Sequence, residues 1–191
     1  GPSNSDYASG DNELPVQQAL VDHLRPGAVF YDVGANVGFL TVLGARLVGP
    51  QGTVYAFEPV ASNAEFVRRN SRVNAFAQVQ VLEQAVSNRC GKGELNLATY
   101  SGGAALASVE APPDAAGTQT VDLVTVDELI ARDGFKPPDV IKIDAAARRI
   151  VDELGFKVGH PTVLEQLRQR GYRVDGDVVR VTKGDATARL V

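Results

Sequence analysis

The run Ala28-Val29-Phe30-Tyr31-Asp32-Val33-Gly34-Ala35-Asn36-Val37-Gly38, followed at once by the apolar Phe39-Leu40-Thr41-Val42-Leu43, constrains this chain more than any other feature. It reads as a strand, a glycine turn and a helix. Gly34 and Gly38 lack a Cβ where the backbone turns tightly and approaches a ligand, and the helix that follows offers unpaired N–H groups to a carboxylate or phosphate. Such a unit belongs to an α/β fold and predicts a cofactor site.

The dinucleotide pattern G-x-G-x-x-G occupies the same place between a strand and a helix. It is not met here, because Asn36 stands at its second glycine position and Phe39 at its third. An acid, Asp32, precedes Gly34 by two residues. A carboxylate there repels a pyrophosphate and attracts a cation such as the amino group of S-adenosylmethionine. Glu58 closes Thr53-Val54-Tyr55-Ala56-Phe57, a β-branched and aromatic run suited to the neighbouring strand. An acid in that position can accept bonds from both ribose hydroxyls. The competing reading is a plain tight turn flanked by solvated strand-end acids.

Three segments in order, 32–38, Ala56-Phe57-Glu58-Pro59 and Val140-Ile141-Lys142-Ile143-Asp144, each closing an apolar strand, together resemble the FkbM family of S-adenosylmethionine-dependent methyltransferases, mostly O-methyltransferases. The resemblance runs from Pro26 to Asp144, with a weaker tail to Val174. It implies an α/β, Rossmann-like class I methyltransferase fold: a mostly parallel sheet with a C-terminal antiparallel hairpin. It also implies S-adenosylmethionine as cofactor, held by Asp32, Gly34, Ala35, Asn36, Gly38, Glu58, Pro59, Gln84, Ala85 and Asp144. Gln84 would bond the exocyclic amine of adenine and the backbone of Ala85 the ring nitrogens, although a plain strand exit explains these two nearly as well. The implied acceptor is a hydroxyl on a sugar or natural-product small molecule.

Composition fits an enzyme domain. The chain has 191 residues, 44% hydrophobic and 22% charged, enough for one domain with a sizeable core. Gly1-Pro2 looks like a scar of tag removal, so residues 1–5 are set aside and 6–191 read as a single domain. A formal net charge of −4, with Arg68-Arg69 and Arg148-Arg149 as isolated basic pairs, argues against nucleic acid as the main partner. No apolar run is long enough to span a bilayer and no secretory signal stands out, so the expectation is a soluble cytoplasmic protein without membrane partners. Cys90 is the single cysteine and, with only His23 and His160 beside it in the sequence, makes no metal-ligand cluster; no metal is expected.

Along the chain, strands alternate with helices, which implies a parallel sheet covered on both faces. A leading helix is expected over 12–24 and a crossover helix over 39–48, stopped by Gly49-Pro50. Ser62 stands three residues before Glu65, a capping-box spacing that starts a helix reaching Val73. A third strand is expected at 79–82 and an added short strand at 93–98. Residues 100–117, rich in Gly, Ala, Ser and Pro, read as a loop, with Ser101-Gly102-Gly103 on the substrate side or merely on the surface. Thr125 and Glu128 repeat the capping-box spacing before a short helix, and 139–143 is the fourth strand. Asp32, Glu58, Gln84 and Asp144 would then converge on the carboxyl edge of the sheet, where ligands lie in doubly wound folds.

After Asp144 the chain departs from the family. Relatives follow the aspartate with a signature opening a long helix, whereas here Ala145-Ala146-Ala147-Arg148 leads straight to Arg149-Ile150-Val151-Asp152-Glu153-Leu154, which resembles the fifth strand. A parallel crossover needs on the order of a dozen or more residues. The expectation is therefore an internal omission; a single helix over 145–154 is the alternative. A helix over 163–170, capped by Thr162 and Glu165, precedes a hairpin pairing 172–174 with 178–182, which reads as the natural end of the fold.

Methyl transfer from a sulfonium needs positioning above all. An alcohol acceptor also benefits from a base, and Asp144, Glu153 and His160 are the candidates. Two other functions stay open: a non-catalytic S-adenosylmethionine-binding module, favoured by the segment after Asp144, and a nucleotide-dependent oxidoreductase, favoured only by the generic glycine turn.

Overall fold

Strands β1 (Val29–Val33) and β2 (Thr53–Phe57) are buried at every position, as expected of parallel strands covered on both faces. The computed structural model describes residues 13–98, 105–106, 115–143, 156–157, 173–175 and 178–180. With β3 (Val79–Leu82) and β8 (Val140–Ile143) these strands form a parallel sheet in the order β3-β2-β1-β8. The expected third and fourth strands are therefore present.

Alternate residues of β1 serve opposite layers, because successive side chains of a strand point to opposite faces. Phe30 packs with Val54, with Leu20 of helix α1 (Leu14–His23) and with Leu40, Ala45 and Val48 of helix α2 (Phe39–Val48). Gly44 lets α2 lie close to the sheet, since a Cβ there would collide with the Phe30 ring. Tyr31 and Val33 pack on the other side with Tyr55, Phe57 and the Val126 and Leu129 side chains of helix α4 (Val126–Ala131). Thr125 caps α4 as expected, its hydroxyl accepting the Glu128 N–H at 3.2 Å.

Helix α3 (Ala61–Val73) ends where the sequence predicts but begins without the capping box. Its N-cap is Val60, with no side-chain bond, and the Glu65 carboxylate pairs instead with Arg72 at 2.7 Å and Arg68 at 3.8 Å. Glu58 has already taken the Val60 N–H at 3.0 Å, so the helix entry is set from the strand side.

A second sheet departs from expectation. Strands β4 (Gln84–Val86), β5 (Gly91–Ala98), β6 (Ala105–Leu106) and β7 (Ala115–Val124) form it in the order β4-β7-β5-β6. Residues 105–106 and 115–117 are thus strand rather than loop. Only Glu83 separates β3 from β4, so Gln84 opens a strand of this second sheet instead of ending one in the first. Strands β9 (Phe156–Lys157), β10 (Arg173–Asp175) and β11 (Val178–Arg180) make a small antiparallel sheet in the order β10-β11-β9. The expected terminal hairpin is its β10-β11 pair. The segment 144–155, and with it the question of an omission after Asp144, lies outside the described residues, as do the loop expected at 101–103 and the helix expected over 163–170. Among the described residues, no helix is long and apolar enough to cross a membrane.

Candidate functional site at the carboxyl edge of the parallel sheet

The turn 34–38 leaves the end of β1 through three left-handed residues, Gly34 (φ 74°), Asn36 (φ 51°) and Gly38 (φ 89°). Asn36 is the one non-glycine among them, and asparagine tolerates this region better than most residues. Gly38 is restricted twice over: besides its φ, a Cβ would lie 3.1 Å from Val67 Cα of α3. The turn is held from β2, since Phe57 O accepts the N–H groups of Gly34 (2.9 Å) and Ala35 (3.0 Å). It is also held from α3, where Asn70 Nδ2 donates to Val37 O at 2.8 Å.

Glu58, immediately after β2, is 5% exposed and completes this frame. One carboxylate oxygen accepts the Asn36 N–H at 2.8 Å and the other the Val60 N–H at 3.0 Å. The acid joins the glycine turn to the entry of α3, and because a carboxylate accepts several bonds at once it remains suited to a diol. Pro59 lies between Glu58 and the Val60 that it bonds.

Asp32 is fully buried, and its charge is answered inside the protein. Its Oδ2 accepts the Thr41 hydroxyl of α2 at 2.6 Å, and its Oδ1 lies 3.0 Å from Lys142 Nζ on β8. Lys142, 9% exposed, also donates to Gly34 O at 2.9 Å. Sequence reasoning quoted Lys142 within a strand motif and gave it no role. The available signal was a lysine between Ile141 and Ile143 in an otherwise apolar strand, which burial permits only with a partner.

The structure thus brings Asp32, Gly34, Ala35, Asn36, Gly38, Glu58 and Pro59 together at one edge. Gln84 is half-buried at the start of β4, and Ala85 packs with Leu95, Val121 and Leu123 in the core of the second sheet. Asp144, Glu153 and His160 lie outside the described residues. Cys90 is exposed and sits 3.8 Å from Thr125 Oγ1 at the start of α4. A hydrogen bond between Cys90 and Glu128, and after it the hydrogen bond and charge of Arg132, hold the Glu128 carboxyl below the usual range. Among the described residues, no group of three His, Cys, Asp or Glu side chains could hold a metal ion. A groove of about 640 Å³ between α3 and β3 is lined by Arg68, Arg72, Phe76, Val79 and Val81 and includes none of the strand-end residues. Its Arg68 is engaged by Glu83 at 2.7 Å.

Residues 32–145 match the family model of the methyltransferase FkbM domain. The chain belongs to the FkbM methyltransferase family. Its fold is accordingly the Rossmann-like class I methyltransferase fold, and the cofactor of the family is S-adenosylmethionine. Among relatives, the FkbM-domain chain is 31% identical over 165 residues to "31-O-demethyl-FK506 methyltransferase FkbM" of Streptomyces tacrolimicus, covering 83% of this chain and 50% of that protein. It is 26% identical over 175 residues to "Probable cobalt-precorrin-6B C(15)-methyltransferase (decarboxylating)" of Sulfolobus acidocaldarius, covering 90% of this chain and 83% of the relative. Among solved structures, a SAM-dependent methyltransferase from Aquifex aeolicus matches with 21% identity and a TM-score of 0.34, covering 44% of this chain and 47% of that one. This FkbM-family chain therefore spans half the length of its Streptomyces relative.

Proposed function

We propose that residues 6–191 are a single S-adenosylmethionine-dependent methyltransferase domain that methylates a hydroxyl on a sugar or natural-product small molecule. The observation that carries the reading is the Glu58 carboxylate, buried and oriented at the end of β2 by the turn it faces, in a chain of the FkbM family. The residues fit the cofactor. The turn 34–38 is fixed from β2, from α3 and from Lys142, and the first turn of α2 carries no side-chain cap at Gly38. In this reading Glu58 holds the ribose hydroxyls, Gly34 to Gly38 receive the methionine portion, and Gln84, Ala85 and Pro59 border the adenine. Asp32 contributes through the turn, since Lys142 and Thr41 occupy its carboxylate.

When bound, S-adenosylmethionine supplies a methyl group on a sulfonium that leaves as a neutral sulfide. The protein's share is positioning and, for a hydroxyl acceptor, removal of a proton, with Asp144, Glu153 and His160 as the candidates for that base. Oxygen as the acceptor atom is supported by the name of the Streptomyces relative. The Sulfolobus relative, named for a carbon acceptor, supports the alternative of C-methylation.

Calorimetry with S-adenosylhomocysteine tests the cofactor assignment, and NAD serves as the comparison ligand. Glu58→Ala should weaken S-adenosylhomocysteine binding by about 1.5 to 3 kcal/mol, roughly tenfold to a hundredfold. Unchanged binding in that variant, or tighter binding of NAD by the native protein, would sink the assignment. Transfer of a labelled methyl group to matched hydroxyl and carbon acceptors decides the acceptor atom, and cofactor binding without transfer to any acceptor would leave only a binding module.

A further inference from the structure

Asp32 and Lys142 are register partners across the β1–β8 ladder, so their side chains emerge side by side on the face covered by α2. A buried ion pair of this kind adds little stability over apolar residues of the same size, because desolvation consumes most of the attraction. Its presence here therefore calls for a reason other than stability, and the second bond of the ammonium supplies one.

A trans peptide directs its C=O and N–H to opposite sides. In the Gly34–Ala35 peptide the oxygen accepts from Lys142 Nζ at 2.9 Å, while the N–H donates to Phe57 O at 3.0 Å. The first peptide of the turn is thus pinned at both ends, to β8 on one side and to β2 on the other. The next N–H, that of Asn36, is the one that Glu58 accepts. Rotation of the Gly34–Ala35 plane would disturb the frame that orients Glu58.

We propose that Lys142 is a positioning residue for cofactor binding: it clamps Gly34 O and, with Asp32 as its buried counter-charge, sets the peptide plane on which the Asn36–Glu58 contact depends. The inference rests on the cofactor reading above. It assigns the ion pair two separable tasks, charge balance for the fold and orientation of the turn for the ligand.

Three proteins separate these tasks: the native chain, Lys142→Met, and the double variant Asp32→Asn with Lys142→Met. The single variant leaves a buried carboxylate without its cation and should melt well below the native protein. The double variant restores neutrality, since the asparagine amide still pairs with Thr41, and should recover most of the melting temperature. It should nonetheless bind S-adenosylhomocysteine roughly tenfold more weakly, because Gly34 O stays unclamped. Without any ligand, its Ala35 and Asn36 amides should also exchange hydrogen faster than in the native chain. Native-like affinity and native-like exchange at those two amides in the double variant would overturn the proposal. So would a double variant that fails to fold, since neutrality would then not be what the pair lends to stability. If the native chain itself does not bind S-adenosylhomocysteine, the cofactor reading fails, and the exchange rates still decide the role of Lys142.

Discussion

Each of the two four-stranded sheets carries an Asp–Lys pair on directly opposed residues of neighbouring strands. In the parallel sheet it is Asp32 and Lys142, 3.0 Å apart with side chains 0% and 9% exposed. In the second sheet it is Asp122 and Lys92, 2.6 Å apart with side chains 52% and 68% exposed. The shorter pair is the weaker one, because water screens its charges whether or not they touch. Burial makes the other pair obligatory: neither member can stand alone, and the ammonium that answers Asp32 is also bonded to the glycine turn. The edge that carries the glycine turn is thus distinguished by how its charges are enclosed.

The contrast is broken most forcefully at Asp32. Asp32→Ala leaves the Lys142 ammonium buried without its counter-charge, although still bonded to Gly34 O, and should cost about 3 to 5 kcal/mol in urea denaturation. A loss below 1 kcal/mol would mean that water reaches the pair.

An intermediate effect is expected at Tyr31, on the opposite face of the same sheet. Its hydroxyl donates to Lys136 O at 2.8 Å, so Tyr31→Phe should lose about 1 kcal/mol at neutral pH. Burial first, and the neighbouring Tyr55 second, push the Tyr31 phenol far above its ordinary value. In the unfolded chain a tyrosine ionises near pH ~10. The stability that the neutral phenol contributes is therefore complete below that pH and falls as pH rises beyond it. Denaturation at neutral and strongly alkaline pH should show a smaller alkaline loss in Tyr31→Phe than in the native protein; equal losses would place the phenol in contact with solvent.

The smallest effect belongs to the exposed pair. Lys92→Ala should change stability by no more than about 1 kcal/mol, and less in high salt. A larger change would show that the second sheet depends on its surface charges after all.

Much of the parallel sheet was legible because parallel strands bury both faces and so appear as unbroken apolar runs, such as Val29-Phe30-Tyr31 and Val54-Tyr55-Ala56-Phe57. The glycine turn and Glu58 were legible for the same reason, standing where those runs stop. β7 was not. Its described positions alternate in burial, with Val121 and Leu123 inside and Thr120 and Asp122 outside, and its start blends into a segment rich in Gly, Ala and Pro. Of the two capping-box spacings among the described residues, only that of Thr125 caps a helix; at Ser62 a carboxylate from outside the local motif, Glu58, had already bonded the chain ahead of α3. Lys142 was hidden for a third reason: its partners lie more than a hundred residues away in sequence, beyond the reach of any local pattern.

That separation carries a consequence for biosynthesis. Gly34 and Lys142 are 108 positions apart, and β1 sits between β2 and β8. A growing chain therefore makes Asp32 long before its cation exists, and until β8 docks β1 is an edge strand with an unanswered acid at its end. The pairing that adds β8 to β1 is the same event that brings the ammonium to Gly34 O. The entropy of joining such distant segments must be met before their contacts reward it. Fragments that stop short of β8 contain every residue of the glycine turn and its contacts to β2 and α3, yet lack the ammonium that binds Gly34 O, so the turn receives its last contact only with the last strand of the sheet to be made.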